Sequence, residues 1–449
     1  MRPAATGGWG GERGLKTSHK FGLGAAGVLG SLAWLMSLPE PAAETAPVSP
    51  RQAQLHFAAV TPSARRDINY AALDERLKRL AEKQAIVGLA VGIVENGRIT
   101  FLSGYGEELA GSGQKVTPHT VFRWASVSKG VAATMVAKLA EEGKLSLQAP
   151  VSRYSASLKL PGGMENQATV GDLLSHRLGL YRNAYDNKLE EGGDTRYLRQ
   201  TLAQLNLICA PGTCWSYQNV AYDGSSEIVE KVTGKPYREA VREYLFDPIG
   251  MTSATMTRDG LVGAPSWARP HNVGRKPLEV LDTYYRVPAA GGVNSNIKDM
   301  ALWMVAQMGQ MPAVLSPRLL QTIHAPLVKT PGERQRMRKF LERLGDADYG
   351  YGWRGYDYAG HRIVGHRGGI NGYRSLILFD PVKKSGVVAL WNSSTSQPGG
   401  LEFEVMDMIH HLPFRDWLDL DKTPGAPAVL ETEPEVGSGD PRSARKRPA

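Results

Sequence analysis

From Tyr349 to Ser394 the chain reads YGYGWRGYDYAGHRIVGHRGGINGYRSLILFDPVKKSGVVALWNSS. Apolar and polar residues alternate along it with the period of two that marks half-buried strands. The segment DPVKKSG reads as a tight hairpin turn, and short turns join antiparallel neighbours only. This block therefore predicts consecutive antiparallel strands. A second hairpin lies near the other end of the body, where GLAVGIVENGRITFLSGYGE places two strand-like runs around Asn96-Gly97, a strong turn signal. Helical periodicity fills the space between and around them. YAALDERLKRLAEKQ precedes the first hairpin, and YREAVREYLFDPIG is the clearest helix of a helical, loop-rich stretch at about 150–288. SNIKDMALWMVAQMG follows, with Asn294 or Ser295 as its expected cap, and FEVMDMIHHL closes the body. Strands at both ends with helices between them predict a mixed α/β chain of the α+β type. An antiparallel sheet is flanked by helices and joined to a mostly helical domain. No internal repeat is visible.

The ends carry different information. Arg2, Arg13, Lys16 and Lys20 precede the uncharged run FGLGAAGVLGSLAWLMSL, which Pro39 breaks. A charged start, an apolar run and small residues after it read as an export signal or an N-terminal anchor over 1–43. Residues 44–64 read as an Ala/Pro-rich linker, 65–418 as the body and 419–449 as a disordered tail. The expected location is periplasmic or otherwise extracytoplasmic, with membrane association through the N-terminal segment as the anchored alternative. The G-x-G-x-x-G at Gly22, Gly24 and Gly27 lacks the strand and βαβ context of a nucleotide site. The net charge of +9 is spread over scattered Lys and Arg, so no nucleic-acid surface is expected. Cys209 and Cys214 flank Pro211-Gly212, a turn that favours a local disulfide in an oxidising compartment; two free thiols are the alternative.

Chemistry enters at RWASVSKGVAATMVAKLAEEGKL, from Arg123 to Leu145. Ser126 and Lys129 lie at i and i+3, on one helical face. A serine hydroxyl needs a base to become a nucleophile. A lysine is a base only when neutral, which burial or a neighbouring cation favours. Val127, Val131, Ala132, Met135 and Val136 supply an apolar setting, and a helix N-terminus suits an oxyanion. The same spacing recurs at Ser112–Lys115, in a Gly-rich loop, and at Ser295–Lys298, where Ser295 reads as a helix cap.

FRWASVSKG resembles the S-x-x-K element of the serine β-lactamase and penicillin-binding-protein superfamily. That family orders S-x-x-K, then S-x-N or Y-x-N, then K-T-G or H-x-G. Y-x-N occurs at Tyr181–Asn183, Tyr185–Asn187 and Tyr217–Asn219. The last sits in APGTCWSYQN, similar to the P-G-x-x-W-x-Y-S-N stretch of the class C-like branch, about ninety residues past Ser126. Lys384-Ser385-Gly386 matches the third element by letter but falls in the hairpin turn. His366-Arg367-Gly368, in VGHRGG, fits the family pattern along its whole flank. DLLSHRLGLYR and AGGVNSNIKDMALW echo two further stretches. The resemblance covers about 65–415 and departs at Arg367 and Leu178.

What the resemblance implies is a β-lactamase/transpeptidase-like fold with a cleft between sheet and helical domain. Ser126 is the implied nucleophile, and Lys129 and Tyr217 share the proton traffic. Asn219, His366 and Gly368 line the substrate site, and the amides of Ser126 and Gly369 bind the oxyanion. No metal and no organic cofactor are implied. The expected activity is that of an exported serine hydrolase acting through an acyl-enzyme on small esters, D-amino-acid amides or peptidoglycan-derived peptides. A β-lactamase, a D-alanyl-D-alanine carboxypeptidase and a non-hydrolytic penicillin-binding sensor stay open. A histidine in place of the family's strand lysine predicts a preference for neutral substrates. Carboxylate-bearing ones should gain as pH falls towards about 6, with Arg367 facing away from His366.

Overall fold

The computed structural model describes residues 67–421; the expected leader, the linker and the tail from 422 on lie outside them. Strands β1 (Gly88–Glu95) and β2 (Arg98–Gly106) form the early hairpin. Short strands β3 (Phe122–Arg123) and β4 (Asn294–Ser295) pair separately. After β5 (Val328–Lys329) come β6 (Leu344–Tyr349), β7 (Arg354–Tyr358), β8 (His361–Ile370), β9 (Tyr373–Asp380) and β10 (Ser385–Trp391). The eight-stranded sheet runs β2-β1-β10-β9-β8-β7-β6-β5, and every neighbour pair is antiparallel. β1 beside β10 joins chain segments almost 300 residues apart, with Leu89 opposite Trp391 and Val94 opposite Gly386.

The sheet is buried on both faces, and its period of two sorts side chains between two cores. Leu89, Val91 and Ile93 of β1 and Val387 and Ala389 of β10 face one core. That core is closed by helices α1 (Tyr70–Ala81) and, at the end of the body, Leu401–Ile409. Ala90, Val94, Val388 and Leu390 face the other core, which extends through the helical region. Central to it is α2 (Ser128–Glu141). Every residue of α2 from Ser128 to Ala137 is buried. It packs between sheet and helices, and its charged residues are Lys129, inside, and the group near its end.

Other expectations shift by a residue or two. The helix after β4, α3 (Ile297–Gln307), is capped by Asn296, whose side chain accepts from the Asp299 amide; Asn294 and Ser295 are in β4 instead. YREAVREYLFDPIG starts as a helix at Tyr237, widens to a π-turn at Arg242–Phe246, and stops at Gly250. Residues 419–421, expected in the tail, belong to the body. Leu420 is buried, and Asp421 pairs with Arg76 and Arg79. No helix among the described residues is long and apolar enough to cross a membrane.

Arg76 of α1 ties the outer layer together. Its guanidinium meets Glu404 at 2.7 Å, Asp416 at 2.7 Å and Asp421 at 3.0 Å. The Glu404 side chain is fully buried, so removing the arginine strands a carboxylate inside the protein. Arg76→Ala should lower the unfolding free energy by about 3 kcal/mol, read as a lower urea midpoint at unchanged slope.

Candidate active site

Ser126 sits in a 3-10 turn, Ala125–Val127, that feeds α2. Ala125 before it has φ +47°, a left-handed conformation unfavourable for any residue with a Cβ. The surroundings hold this elbow from two sides. On one side the Ser375 hydroxyl donates to the Trp124 carbonyl at 2.6 Å. A Cβ on Gly368 would lie 2.3 Å from that same oxygen, so only glycine lets β8 approach so closely. On the other side the Trp124 indole donates to Ser295 Oγ at 2.9 Å, and the Trp124 amide donates to Val293. Ser295 is thus a support for the elbow. Ser112 is an exposed loop residue that bonds its own turn.

Lys129 is completely buried. Its Nζ lies 3.4 Å from Ser126 Oγ and donates to Asn219 Oδ1 at 2.6 Å and to the Ala290 carbonyl at 2.9 Å. Burial drives its pKa down to about 7; Asp186 opposes this, and Arg354 adds to it. The Tyr217 hydroxyl hydrogen-bonds to Ser126, and burial pushes it up to about 12. Burial thus favours the neutral amine of Lys129 and the un-ionised phenol of Tyr217. This suits the amine to act as the resting base and the phenol as a proton donor and relay.

Asn219 turns its amide nitrogen to Asp186 Oδ2 at 2.7 Å, which fixes its oxygen towards Lys129. Asp186 is raised to about 6 by burial, against the Asn219 bond and the Lys129 charge. Its other oxygen, Oδ1, has no hydrogen-bond partner. His176, from DLLSHRLGLYR, accepts from the Gln218 amide at 3.2 Å and packs its ring 4.4 Å from that of Tyr217, so it sets the loop that carries Tyr217 and Asn219. The two passed-over Y-x-N tripeptides bring Arg182 and Asp186 to the site. Lys384 lies in the hairpin turn at φ +50°, remote from it.

His366 is buried. Its Nε2 is 3.2 Å from the Tyr349 hydroxyl and its Nδ1 2.6 Å from the Arg367 carbonyl. Burial, then Arg354 and Lys129, hold its pKa well below the usual value. It stays neutral near pH 6, which corrects the expected gain of charge there. Arg367 does face away, pairing with Glu402. Positive charge comes from residues with no motif to announce them. Arg354 and Arg182 stand 5.8 and 5.4 Å from the centre of the Tyr217 ring. Glu333 binds Arg354 at 2.6 Å, Arg182 at 3.1 Å and Arg336 at 2.6 Å. Three guanidiniums thus share one carboxylate. Burial opposes the charge on Arg354, but Glu333 holds it firmly cationic.

Fold and site together set a buried lysine within reach of a serine hydroxyl, an arrangement able to support acyl transfer. The family comparison agrees: the Beta-lactamase family model matches residues 73–406, and the chain belongs to that family. It is 26% identical to the unguisins hydrolase ungD of Aspergillus violaceofuscus over 74% of this chain and 64% of that protein. It is 28% identical to penicillin-binding protein 4 of Amycolatopsis lactamdurans over 72% and 84% of the two chains. The match to the fungal hydrolase thus spans less than two thirds of that relative's length. The octameric penicillin-binding protein homologue of Pyrococcus abyssi shares the fold, with a TM-score of 0.68, 24% identity and coverage of 77% and 78%.

If Lys129 is the base, kcat/KM rises with pH through about 7 as its proton leaves. Asp186→Asn keeps an acceptor for Asn219 but removes a negative charge that favours the ammonium. The midpoint of this limb should then move to lower pH by roughly one unit, measured as the pH profile of kcat/KM; an unmoved or raised midpoint would count against the assignment.

Proposed function

We propose that the protein hydrolyses small amides or esters, D-amino-acid amides and peptides among them, through an acyl-enzyme on Ser126. The observation that carries this reading is the buried Lys129 amine, poised near pKa 7 and in reach of the Ser126 hydroxyl. Lys129 accepts the proton as Ser126 Oγ attacks the carbonyl carbon. The amides of Ser126 and Gly369 receive the oxyanion. Tyr217, joined to Ser126 by its hydrogen bond, passes a proton to the leaving group. Water then attacks the acyl-enzyme and restores the serine. The 3.4 Å spacing between amine and hydroxyl is long, as expected before substrate tightens the site.

The arginine cluster modifies the substrate expectation. His366 offers no positive charge, but Arg354 and Arg182 do, beside Tyr217. A guanidinium pair matches a carboxylate in geometry as well as charge. This favours substrates with a carboxylate near the scissile bond, which peptides ending in D-alanine and β-lactams share. Ser126→Ala should abolish turnover and fluorophosphonate labelling, and Ser112→Ala should leave both within about twofold. Arg182→Gln should raise KM about tenfold for a carboxylate-terminated D-peptide, a cost of about 1.4 kcal/mol, while sparing neutral nitrophenyl esters. Equal effects on both substrates would remove the carboxylate reading and leave the hydrolase reading intact.

We also propose that the chain is exported. The charged, then apolar, N-terminal sequence supports this, as does the disulfide between Cys209 and Cys214. Residues 1–61 fused to a reporter active only in the periplasm should give signal; activity of a cytosol-only reporter alone would refute export.

A further inference from the structure

At the far end of the sheet, three side chains from three elements converge. His361 opens β8, Asp380 ends β9, and His410 follows the helix Leu401–Ile409. One potential ligand atom from each lies within 4.8 Å of the others. We propose that His361, Asp380 and His410 form a zinc site. It is separate from the hydrolytic centre, because His361 stands five residues before His366 on β8, about 16 Å along an extended strand.

Four observations carry the assignment. The His410 side chain is fully buried, yet neither of its ring nitrogens makes a hydrogen bond. A buried imidazole whose Nδ1 has no partner and whose Nε2 has only a carboxylate oxygen at 3.4 Å is costly unless something else binds it. His410 Nε2 and Asp380 Oδ2 are 3.4 Å apart. Two ligands on a tetrahedral zinc, each at the usual bond length, are separated by about 3.4 Å. Asp380 Oδ1 is held by the amides of Val382 and Lys383 at 2.7 and 2.8 Å, which fixes the carboxylate and leaves Oδ2 facing His410. His361 stacks on His410 with centroids 3.8 Å apart, which places its ring beside the other two ligands; the two rings must swing apart for a nitrogen of each to reach one ion.

The chemistry of the set favours zinc. Two imidazoles and a carboxylate suit a borderline divalent ion, and calcium and magnesium take oxygen donors. His361 is only partly buried, so water can complete the coordination. The ion would pin the start of β8 to the end of β9 and to the closing helix, bracing from behind the strand that carries Gly368.

The test uses full-length, tag-free protein stripped with chelator and dialysed against buffered Zn²⁺, with bound metal counted by mass spectrometry. One zinc per chain is expected, together with a higher Tm. Cobalt in its place should give the visible absorption of a tetrahedral site. His361→Ala, at a partly exposed position, should fold normally and weaken zinc binding at least tenfold. His410→Ala should do the same. Ser126→Ala should bind zinc as the wild type does, which separates the site from the hydrolytic centre. His411→Ala should also bind normally, because His411 pairs with Asp67 instead. Binding well below one equivalent, binding unaffected by His361→Ala, or equal loss in His411→Ala or Ser126→Ala would each overturn the assignment.

Discussion

Burying the Lys129 amine is the constraint on which the rest of the site depends. An ammonium removed from water is costly, and the protein answers by lowering its pKa rather than by pairing it tightly with a carboxylate. A direct Asp or Glu partner would have kept the lysine charged and useless as a base. The groups at the amine are instead neutral: the Asn219 amide oxygen and the Ala290 carbonyl. Asp186 makes no direct bond to the amine; it bonds Asn219 and acts on the lysine through its charge. The lysine is therefore solvated by fixed dipoles while its proton affinity stays near neutral pH.

This arrangement explains why stretches distant in sequence must meet. Ala290 belongs to the AGGVNSN stretch, Asn219 to the SYQN loop, and Lys129 to the first turn of α2. The same stretches hold the strained elbow: the Ser128 hydroxyl accepts from the Val293 amide at 3.0 Å, and Ser295 holds Trp124. Strain at Ala125 is sustained because the flanking residues are bonded on both sides. Gly368 closes the set, since any side chain there would push β8 away from the serine.

Charge in the cleft follows the same economy. The strand carries a histidine, and burial favours its neutral form. Arg354 is on the adjacent strand β7, opposite Gly365, and Arg182 is on the loop before the Asp186 helix. These two supply positive potential on another wall. Both also lower the proton affinity of Lys129, so in the proposed reaction the charges that would meet a substrate carboxylate also tune the amine.

Much of this was legible in the chain alone. Alternation over 349–394 and the Asn96-Gly97 turn determined that antiparallel strands form, because side-chain period and turn chemistry are local properties. The i, i+3 spacing of Ser126 and Lys129 is equally local, and their order with Tyr217-Gln218-Asn219 and His366-Arg367-Gly368 singled out the motif residues. Long-range contacts were not legible. Nothing near Asp186 in sequence shows that it meets Asn219, and the capping of α3 by Asn296 rather than Ser295 follows from the pairing of β4 with β3. The all-round burial of α2 likewise depends on what packs against it. The sequence by itself determined which groups were available for proton transfer and how the strands alternate. Tertiary structure alone decided which are charged, because a pKa is set by burial and by neighbours brought from elsewhere in the chain, as Lys129 and His366 each show.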